Sequence, residues 1–242
     1  MPPRALEPAG VALVDKPAGP SSFAIVAQIR RMTGARTGHA GTLDPLATGL
    51  LLLLSGRATK LAPALVGLDK RYLSEIALTG RTSTGDLEGE LVGPHDPPAE
   101  AELQRALDGL RGEIELPIPT MSAVKIDGER AYRLARRGVV VEMPLRRSIV
   151  HSLDVLDRTV TSVSFEVHVS SGTYVRALAE ALGGHCTSLR RTAVGPFGVD
   201  EADAGRILPV DAVLERLPAD AQDNVSAETR AAVSATAKDT AA

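Results

Sequence analysis

The sequence predicts an α+β fold in which helices flank a mixed, largely antiparallel sheet. The clearest signal is the alternation of Val163, Phe165, Val167 and Val169 with polar residues, which is the period of a half-buried strand. Other predicted strands and helices follow one another irregularly, without the βα repeats of a doubly wound sheet. The chain has 242 residues, of which 44% are hydrophobic, so it can bury a substantial core.

The first predicted element is a short buried strand at residues 11–15, closed by the turn at 16–20. Ser21 or Ser22 then caps a helix that carries two arginines in its last turn and ends at Gly34. A glycine-rich segment at residues 38–49 separates this helix from the leucine run, which is typical of a buried strand.

Weaker patterns define the remaining elements. They predict a helix at about 59–68, a strand at 72–78, an acidic turn-rich excursion at 79–93, a helix at about 100–110, an extended segment at 118–125, a capped basic helix at 127–138, and a helix over 175–182 that ends at a pair of glycines. From about residue 224 the sequence is dominated by Ala, Ser and Thr, which indicates either a marginal helix or a disordered tail.

Composition restricts the class of protein. The longest apolar run, Leu50–Leu54, is far shorter than the roughly 20 residues of a membrane span, and no secretory leader opens the sequence. Cys186 is the one cysteine, so the sequence contains neither an internal disulfide nor a cysteine–histidine cluster for zinc. We therefore expect a cytoplasmic protein with no membrane association and no metal site.

Charge is distributed unevenly along the chain. Residues 121–147 contain 7 basic and 3 acidic residues, whereas residues 81–115 contain 9 acidic and 3 basic ones. A basic face of this kind allows a protein of net charge −3 to bind a polyphosphate such as RNA. Ordinary solvated surfaces would give the same counts, and charge alone does not decide between the two.

Asp44 is the first candidate for chemistry. It is the only acid between residues 28 and 60, and its segment holds several glycines that permit close approach to a ligand. The alternative is that Asp44 is an N-cap, with the following proline at the first position of a short helix. His39 lies in the same segment, but a single histidine is more often a hydrogen-bonding residue than a catalyst.

Arg176 and two tyrosines are further candidates. If Thr173 caps the helix that follows, Arg176 is its third residue, where the helix dipole disfavours a cation unless an anion is near. The alternative is that Arg176 extends into solvent. Tyr72 and Tyr174 each lie beside arginines and are suited to stacking on nucleobases, although tyrosines that bury their rings are at least as common.

Together these segments resemble one family, the bacterial tRNA pseudouridine synthases of the TruB type. The segment GHAGTLDPLATG at residues 38–49 is similar to the family's catalytic motif. Further matches arrive in the family's order and cover roughly residues 10–200. They are KPAG at 16–19, GRATK at 56–60, KRY at 70–72, TSTGD at 82–86 with Gly89, SAVKIDG at 122–128 with Tyr132, Ala135 and Arg136, GTYVR at 172–176, and LRR at 189–191.

The resemblance implies a pseudouridine-synthase fold with the active-site cleft across the sheet. It also implies isomerisation of uridine 55 to pseudouridine in the TΨC stem-loop of tRNA, by base flipping and without a cofactor. By position, the nucleophile is Asp44, the active-site arginine is Arg176, and the substrate-binding residues are His39, Tyr72, Tyr174 and Leu189. Tyr72 is also the candidate for removing the C5 proton. Attack at C1′, attack on the uracil ring and removal of the 2′ proton all stay open.

The resemblance also suggests a division of the chain. Residues 1–200 correspond to the catalytic domain, and residues 201–242 form an acidic, alanine-rich tail where family members usually carry an RNA-binding domain. We expect a monomer. Two other functions are compatible with the residues: a non-catalytic module that binds the tRNA elbow, and a metal-dependent hydrolase using His39 and Asp44, which lacks further ligands.

Overall fold

The computed structural model describes residues 9–234. Its strands are β1 (Gly10–Lys16), β2 (Thr37–Ala40), β3 (Thr48–Ser55), β4 (Lys70–Ala77), β5 (Arg81–Thr82), β6 (Leu91–Val92), β7 (Gly112–Pro117), β8 (Lys125–Ile126), β9 (Glu129–Arg130), β10 (Leu145–Arg158), β11 (Ser162–Val169), β12 (His185–Val194), β13 (Phe197–Gly198) and β14 (Ile207–Pro209).

The α-helices are short. They are α1 (Ser22–Thr33), α2 (Ala62–Gly67), α3 (Glu100–Gly109), α4 (Ala131–Arg136), α5 (Val175–Ala181), α6 (Val210–Arg216), α7 (Ala219–Asp223) and α8 (Ala227–Ser234), with 3-10 helices at Gly56–Leu61 and Val199–Glu201. Within the described range, no helix has both the length and the apolarity that crossing a bilayer requires.

Two compact units make up the chain. The first contains the residues up to 71 and those from 190 onward, and the second contains residues 72–189. Most strand pairs in both units are antiparallel, and one pair, β3 with β12, is parallel. Mixed pairing combined with helices confirms the predicted α+β class.

The first unit is built around the leucine run. Strand β3 pairs with β1 and β2 antiparallel and with β12 parallel, and β14 pairs with the other edge of β1. The run Leu50–Leu54 is buried throughout because β3 lies between neighbouring strands and is covered on its faces. Leu50, Leu52 and Leu54 share one core with residues of the α6–α8 segment such as Val210, Leu214 and Val233.

The second unit is a meander-like sheet in the order β4-β11-β10-β7. Strand β11 alternates half-buried and buried residues along its whole length, with Phe165 fully buried at its centre. Leu103 and Leu107 of α3 and Leu178 of α5 are buried in the same unit. The period seen in the sequence is therefore the inward and outward alternation of one strand.

Locally encoded elements are confirmed. The clearest case is α1, where the Ser21 hydroxyl accepts a hydrogen bond from the Ala24 N–H at 3.1 Å and Gly34 adopts the left-handed conformation with φ 69°. The predicted strands at 11–15, 50–54, 72–78 and 163–169 and the helices at 100–110 and 175–182 correspond to β1, β3, β4, β11, α3 and α5.

Other predictions are wrong. The helix at 127–138 begins only at Ala131, because Asp127, with φ 49°, and Gly128 form the turn of a small β8–β9 hairpin. By contrast, the helix predicted at about 59–68 is confirmed in part, since the chain forms a 3-10 helix at Gly56–Leu61 followed directly by α2. The extended segment predicted at 118–125 is interrupted by bends at residues 120–123. Strands β7, β10 and β12 were not predicted, and in β10 two register shifts interrupt the period of two.

The segment after residue 206 is folded as far as it is described. Helices α6–α8 follow β14, and the helical alternative holds for Ala227–Ser234, whose Val233 is buried. The remainder of the predicted tail, residues 235–242, lies outside the described residues. The correspondence between residues 201–242 and a reduced RNA-binding domain stays a prediction.

Candidate active site

Asp44 lies on the loop that connects β2 to β3, and its side chain is half-buried. No helix begins after it: Pro45 and Leu46 form a bend, and the Ala47 N–H donates to the Asp44 carbonyl at 3.1 Å. The alternative that Asp44 caps a short helix is therefore wrong. Its carboxylate therefore lies on an irregular loop and does not cap the start of a helix.

The main-chain carbonyls on both sides of Asp44 accept hydrogen bonds. Five successive carbonyls, those of residues 41–45, accept hydrogen bonds. Arg191 donates to the carbonyls of Gly41 and Thr42 at 3.1 and 3.4 Å, and the Ser22 hydroxyl donates to that of Leu43 at 3.0 Å. The Ala47 N–H donates to the Asp44 carbonyl, while the Pro45 carbonyl accepts from the Gly19 N–H at 2.8 Å and from Lys16 Nζ at 3.2 Å. A loop bound at five successive carbonyls holds its side chains in one geometry, which is what a preorganised catalytic group requires.

Three of these donors come from the end of β1, the turn after it and the start of α1: Lys16, Gly19 and Ser22. Lys16 is fully buried at the end of β1, and its ammonium also donates to the carbonyls of Pro17 and Pro20, at 2.8 and 2.9 Å. Ser22, the first residue of α1, is also buried, and its hydroxyl accepts from the Leu43 N–H at 2.8 Å. The KPAG turn and the start of α1 thus support the loop from one side.

His39 precedes this loop on β2, opposite Leu53 of β3. Burial, with the positive charge of Arg191 as a further cause, holds the pKa of His39 below its usual value of 6.5. Its Nδ1 is buried and has no hydrogen-bond partner among the described residues. His39 is therefore a neutral ring at neutral pH, which suits contact with an uncharged base.

Arg176 lies at the start of α5 in the second unit. Tyr174, not Thr173, is the N-cap, so Arg176 is the second helical residue, and it is 3% exposed. The alternative in which it extends into solvent is wrong. Its guanidinium donates to the carbonyls of Thr84 at 2.6 Å and Met121 at 2.9 Å.

Asp86 is a charged partner of Arg176 that sequence reasoning missed. Its Oδ2 lies 3.7 Å from Arg176 Nε, and both side chains are almost fully buried. The other oxygen accepts from the Thr84 hydroxyl at 2.5 Å and from the Glu88 N–H at 3.1 Å. Two signals could have found it: it belongs to the TSTGD motif, and a cation at a helix start indicates a nearby anion.

The electrostatics near α5 extend to Glu180. Burial raises the pKa of Glu180, and the positive charges of Arg176 and Arg81 oppose that change. Arg81 Nε also donates to the Glu180 carbonyl at 3.1 Å. The helix that carries Arg176 is therefore bound to the acidic excursion at both its start and its end.

The other predicted substrate-binding residues belong to the second unit. Tyr72 lies on β4 and is 8% exposed, Leu189 lies on β12 and is 7% exposed, and Tyr174 is half-buried at the start of α5. Tyr174 and Arg176 are thus brought together at one helix start. The roles of these residues, and the pairing of Arg176 with Asp44, stay predictions.

Comparison with known proteins identifies the family. A family model described as "TruB family pseudouridylate synthase (N terminal domain)" matches residues 30–175, a range that includes Asp44, Tyr72 and Tyr174 and ends one residue before Arg176. The chain belongs to the TruB family. Among its relatives is the tRNA pseudouridine synthase B of Corynebacterium jeikeium, 44% identical over 215 residues, a match covering 81% of this chain and 70% of the relative.

Two further comparisons agree. The tRNA pseudouridine synthase B of Chromohalobacter salexigens is 42% identical over 231 residues, which cover 86% of this chain and 75% of the relative. A chain from the crystal structure of a Cbf5-Nop10-Gar1 complex superposes with a TM-score of 0.61 at 32% identity, covering 80% of this chain and 51% of that one. This TruB-family chain therefore corresponds to about half of that larger protein.

Proposed function

We propose that this chain isomerises uridine 55 to pseudouridine in the TΨC loop of tRNA. The observation that carries the proposal is the position of Asp44, a half-buried carboxylate on a loop bound at five successive carbonyls, in a chain of the TruB family. Its relatives that are named tRNA pseudouridine synthase B support tRNA as the substrate.

The reaction is an isomerisation and consumes no co-substrate. The N1–C1′ glycosidic bond breaks, a C5–C1′ bond forms, the C5 proton leaves to a base, and N1 ends as an N–H group. The chain must therefore supply a nucleophilic carboxylate, a site that retains the detached uracil, and a group that accepts the C5 proton. We assign the first task to Asp44 and the third to Tyr72, acting directly or through a water molecule.

The target uridine must leave its folded loop before any of these groups can reach it. Extruding a nucleotide costs a few kcal/mol, which contacts to the flipped base must offset. Tyr72 would stack on the uracil, and Tyr174 and Leu189 would line the site around it. The neutral ring of His39 is suited to contact the loop where the base has left. Arg176 would orient Asp44.

The test is activity on an unmodified tRNA transcript. We expect pseudouridine at position 55, mapped by primer extension after carbodiimide treatment, and its loss by more than a thousandfold in Asp44→Asn with tRNA affinity within about threefold of wild type. Asp154→Asn, a change at an exposed position on β10, is the matched control and should keep full activity.

Two outcomes would contradict the proposal. Pseudouridine formation by Asp44→Asn at more than a tenth of the wild-type rate would remove Asp44 from the chemistry. Tight tRNA binding by the wild-type chain with no pseudouridine at any position would instead favour the non-catalytic binding module.

A further inference from the structure

Arg191 is a buried cation with unusual partners. It is 1% exposed, and all three of its guanidinium nitrogens donate to main-chain carbonyls: Nε to Leu50 at 2.7 Å, Nη2 to Gly41 at 3.1 Å and Nη1 to Thr42 at 3.4 Å. It forms no ion pair with a carboxylate in the described part of the chain. A buried charge without a counter-ion costs several kcal/mol, so stability alone would favour an apolar residue here.

The main chain of Arg191 touches the far end of the same loop. In the parallel pairing of β12 with β3, Arg191 lies opposite Gly49. A Cβ added at Gly49 would lie only 2.2 Å from the Arg191 carbonyl oxygen, and φ at Gly49 is +99°. The two strands therefore approach at a distance that only glycine permits. Side chain and main chain of one residue thus hold the loop at its entry, Gly41 and Thr42, and at its exit, Gly49.

We propose that Arg191 is a positioning residue for the reaction, which holds both ends of the loop that carries Asp44 and thereby fixes the place of the carboxylate. This inference rests on the proposed function, because the position of the loop affects the reaction only if Asp44 is the nucleophile. Arg191 acts through the backbone of the loop, because its guanidinium binds main-chain carbonyls.

A lysine could not form the same three hydrogen bonds. Its ammonium is a single point of donation on a flexible stem, whereas the planar guanidinium presents separated N–H groups in a fixed fork. The bonds to Gly41, Thr42 and Leu50 diverge from three different nitrogens, so Arg191→Lys keeps the positive charge and loses the geometry. The charge itself acts on His39, whose pKa Arg191 lowers in addition to the effect of burial.

The matched control is the neighbouring residue. Arg190 lies on the same strand but is partly exposed and forms an ion pair with Asp15, at 2.7 Å. It also donates to the Thr48 hydroxyl at 3.4 Å, but it binds none of the three carbonyls that Arg191 holds. For Arg191→Lys we expect a single-turnover rate of pseudouridine formation reduced 10- to 100-fold, with tRNA affinity within threefold of wild type. Arg190→Lys should remain within twofold of wild type in both quantities.

Two measurements on the free protein do not depend on activity. Amide hydrogen exchange at Leu43 should become at least tenfold faster in Arg191→Lys and stay unchanged in Arg190→Lys. The pKa of His39, followed by NMR, should rise in Arg191→Met and remain near the wild-type value in Arg191→Lys. If the wild-type chain forms no pseudouridine, the proposed function fails, while the exchange rate at Leu43 still decides whether Arg191 holds the loop.

Three results would overturn the inference. A rate for Arg191→Lys within twofold of wild type would show that the fork is not needed. Unchanged exchange at Leu43 would show that the loop is held by other groups. Loss of the folded state in both Arg191 variants would show that Arg191 has a structural role only.

Discussion

Replacing Ser22 by alanine tests whether the loop that carries Asp44 depends on α1. The hydroxyl of Ser22 is buried and binds both polar groups of one residue, accepting from the Leu43 N–H at 2.8 Å and donating to the Leu43 carbonyl at 3.0 Å. Ser22→Ala removes both hydrogen bonds and adds no bulk. Leu43 directly precedes Asp44, so the loosened peptide is the one next to the proposed nucleophile.

The size of the effect follows from the two groups left unpaired. Each buried main-chain donor or acceptor without a partner costs about 1–3 kcal/mol, so Ser22→Ala should lose about 2–6 kcal/mol of stability. Part of that cost is relieved if the loop moves away from its wild-type position. If the displaced loop is favoured over the reactive one by about 1.4 kcal/mol, the rate falls about tenfold. We therefore expect the single-turnover rate of Ser22→Ala to be at least tenfold lower than that of wild type.

The neighbouring serine is the control. Ser21 is exposed and caps α1 through its side chain, which accepts from the Ala24 N–H at 3.1 Å. Among the described residues its side chain forms no hydrogen bond with the loop that carries Asp44. Ser21→Ala should cost about 1 kcal/mol and leave the rate within twofold of wild type. Urea unfolding and single-turnover assays of both variants decide the matter. Equal losses of stability in the two variants, or an unchanged rate in Ser22→Ala, would refute the reasoning.

Three more predictions concern packing, pH and salt. Gly49→Ala should fail to fold stably, because its Cβ would overlap the facing backbone of β12. Gly19 also has a positive φ, but open space surrounds it, so Gly19→Ala should lose only about 1–2 kcal/mol of stability in thermal unfolding. Burial lowers the pKa of Lys70 to about 8, so the folded state binds fewer protons than the unfolded one between pH 8 and 10.5. The unfolding free energy of wild type should therefore rise across that window by roughly 1–3 kcal/mol relative to Lys70→Met, and a flat difference would contradict the assigned cause. We expect the basic residues Arg31 and Arg36, which are exposed, to contact phosphates of the tRNA. Replacing both with glutamine should therefore reduce the salt dependence of tRNA binding, and an unchanged slope would place the RNA elsewhere.

Part of the site was accessible from the sequence because a family resemblance pointed to it. The residues alone left Asp44 as either a reactive carboxylate or a helix cap, and left Arg176 as either paired or solvated. In the structure Arg176 is buried rather than solvated, and Asp44 is not a helix cap. Asp86 was missed because the sequence pattern around it indicates only a turn, and its partner lies on a distant helix.

The strands that were not predicted also lack a clear local sequence pattern. Two register shifts interrupt β10, so its hydrophobic residues do not keep the period of two. In β12, Arg191 is buried at a position where the strand pattern predicts an apolar residue, because backbone carbonyls from another part of the chain accept hydrogen bonds from its guanidinium. Asp127 was assigned to a helix because a turn at positive φ and a helix cap favour the same residue types.

The sequence alone determined the features that arise within a few residues. The capping of α1 by Ser21 or Ser22 and by Gly34, the burial of the leucine run and the alternation of β11 depend on local geometry and local hydrophobicity. Only the tertiary structure decided that Ser22, Lys16 and Arg191 bind the carbonyls around Asp44. Hydrogen bonds to main-chain carbonyls leave no signature in the accepting residues, since every residue has a carbonyl, so such partners become known only once the chain has folded.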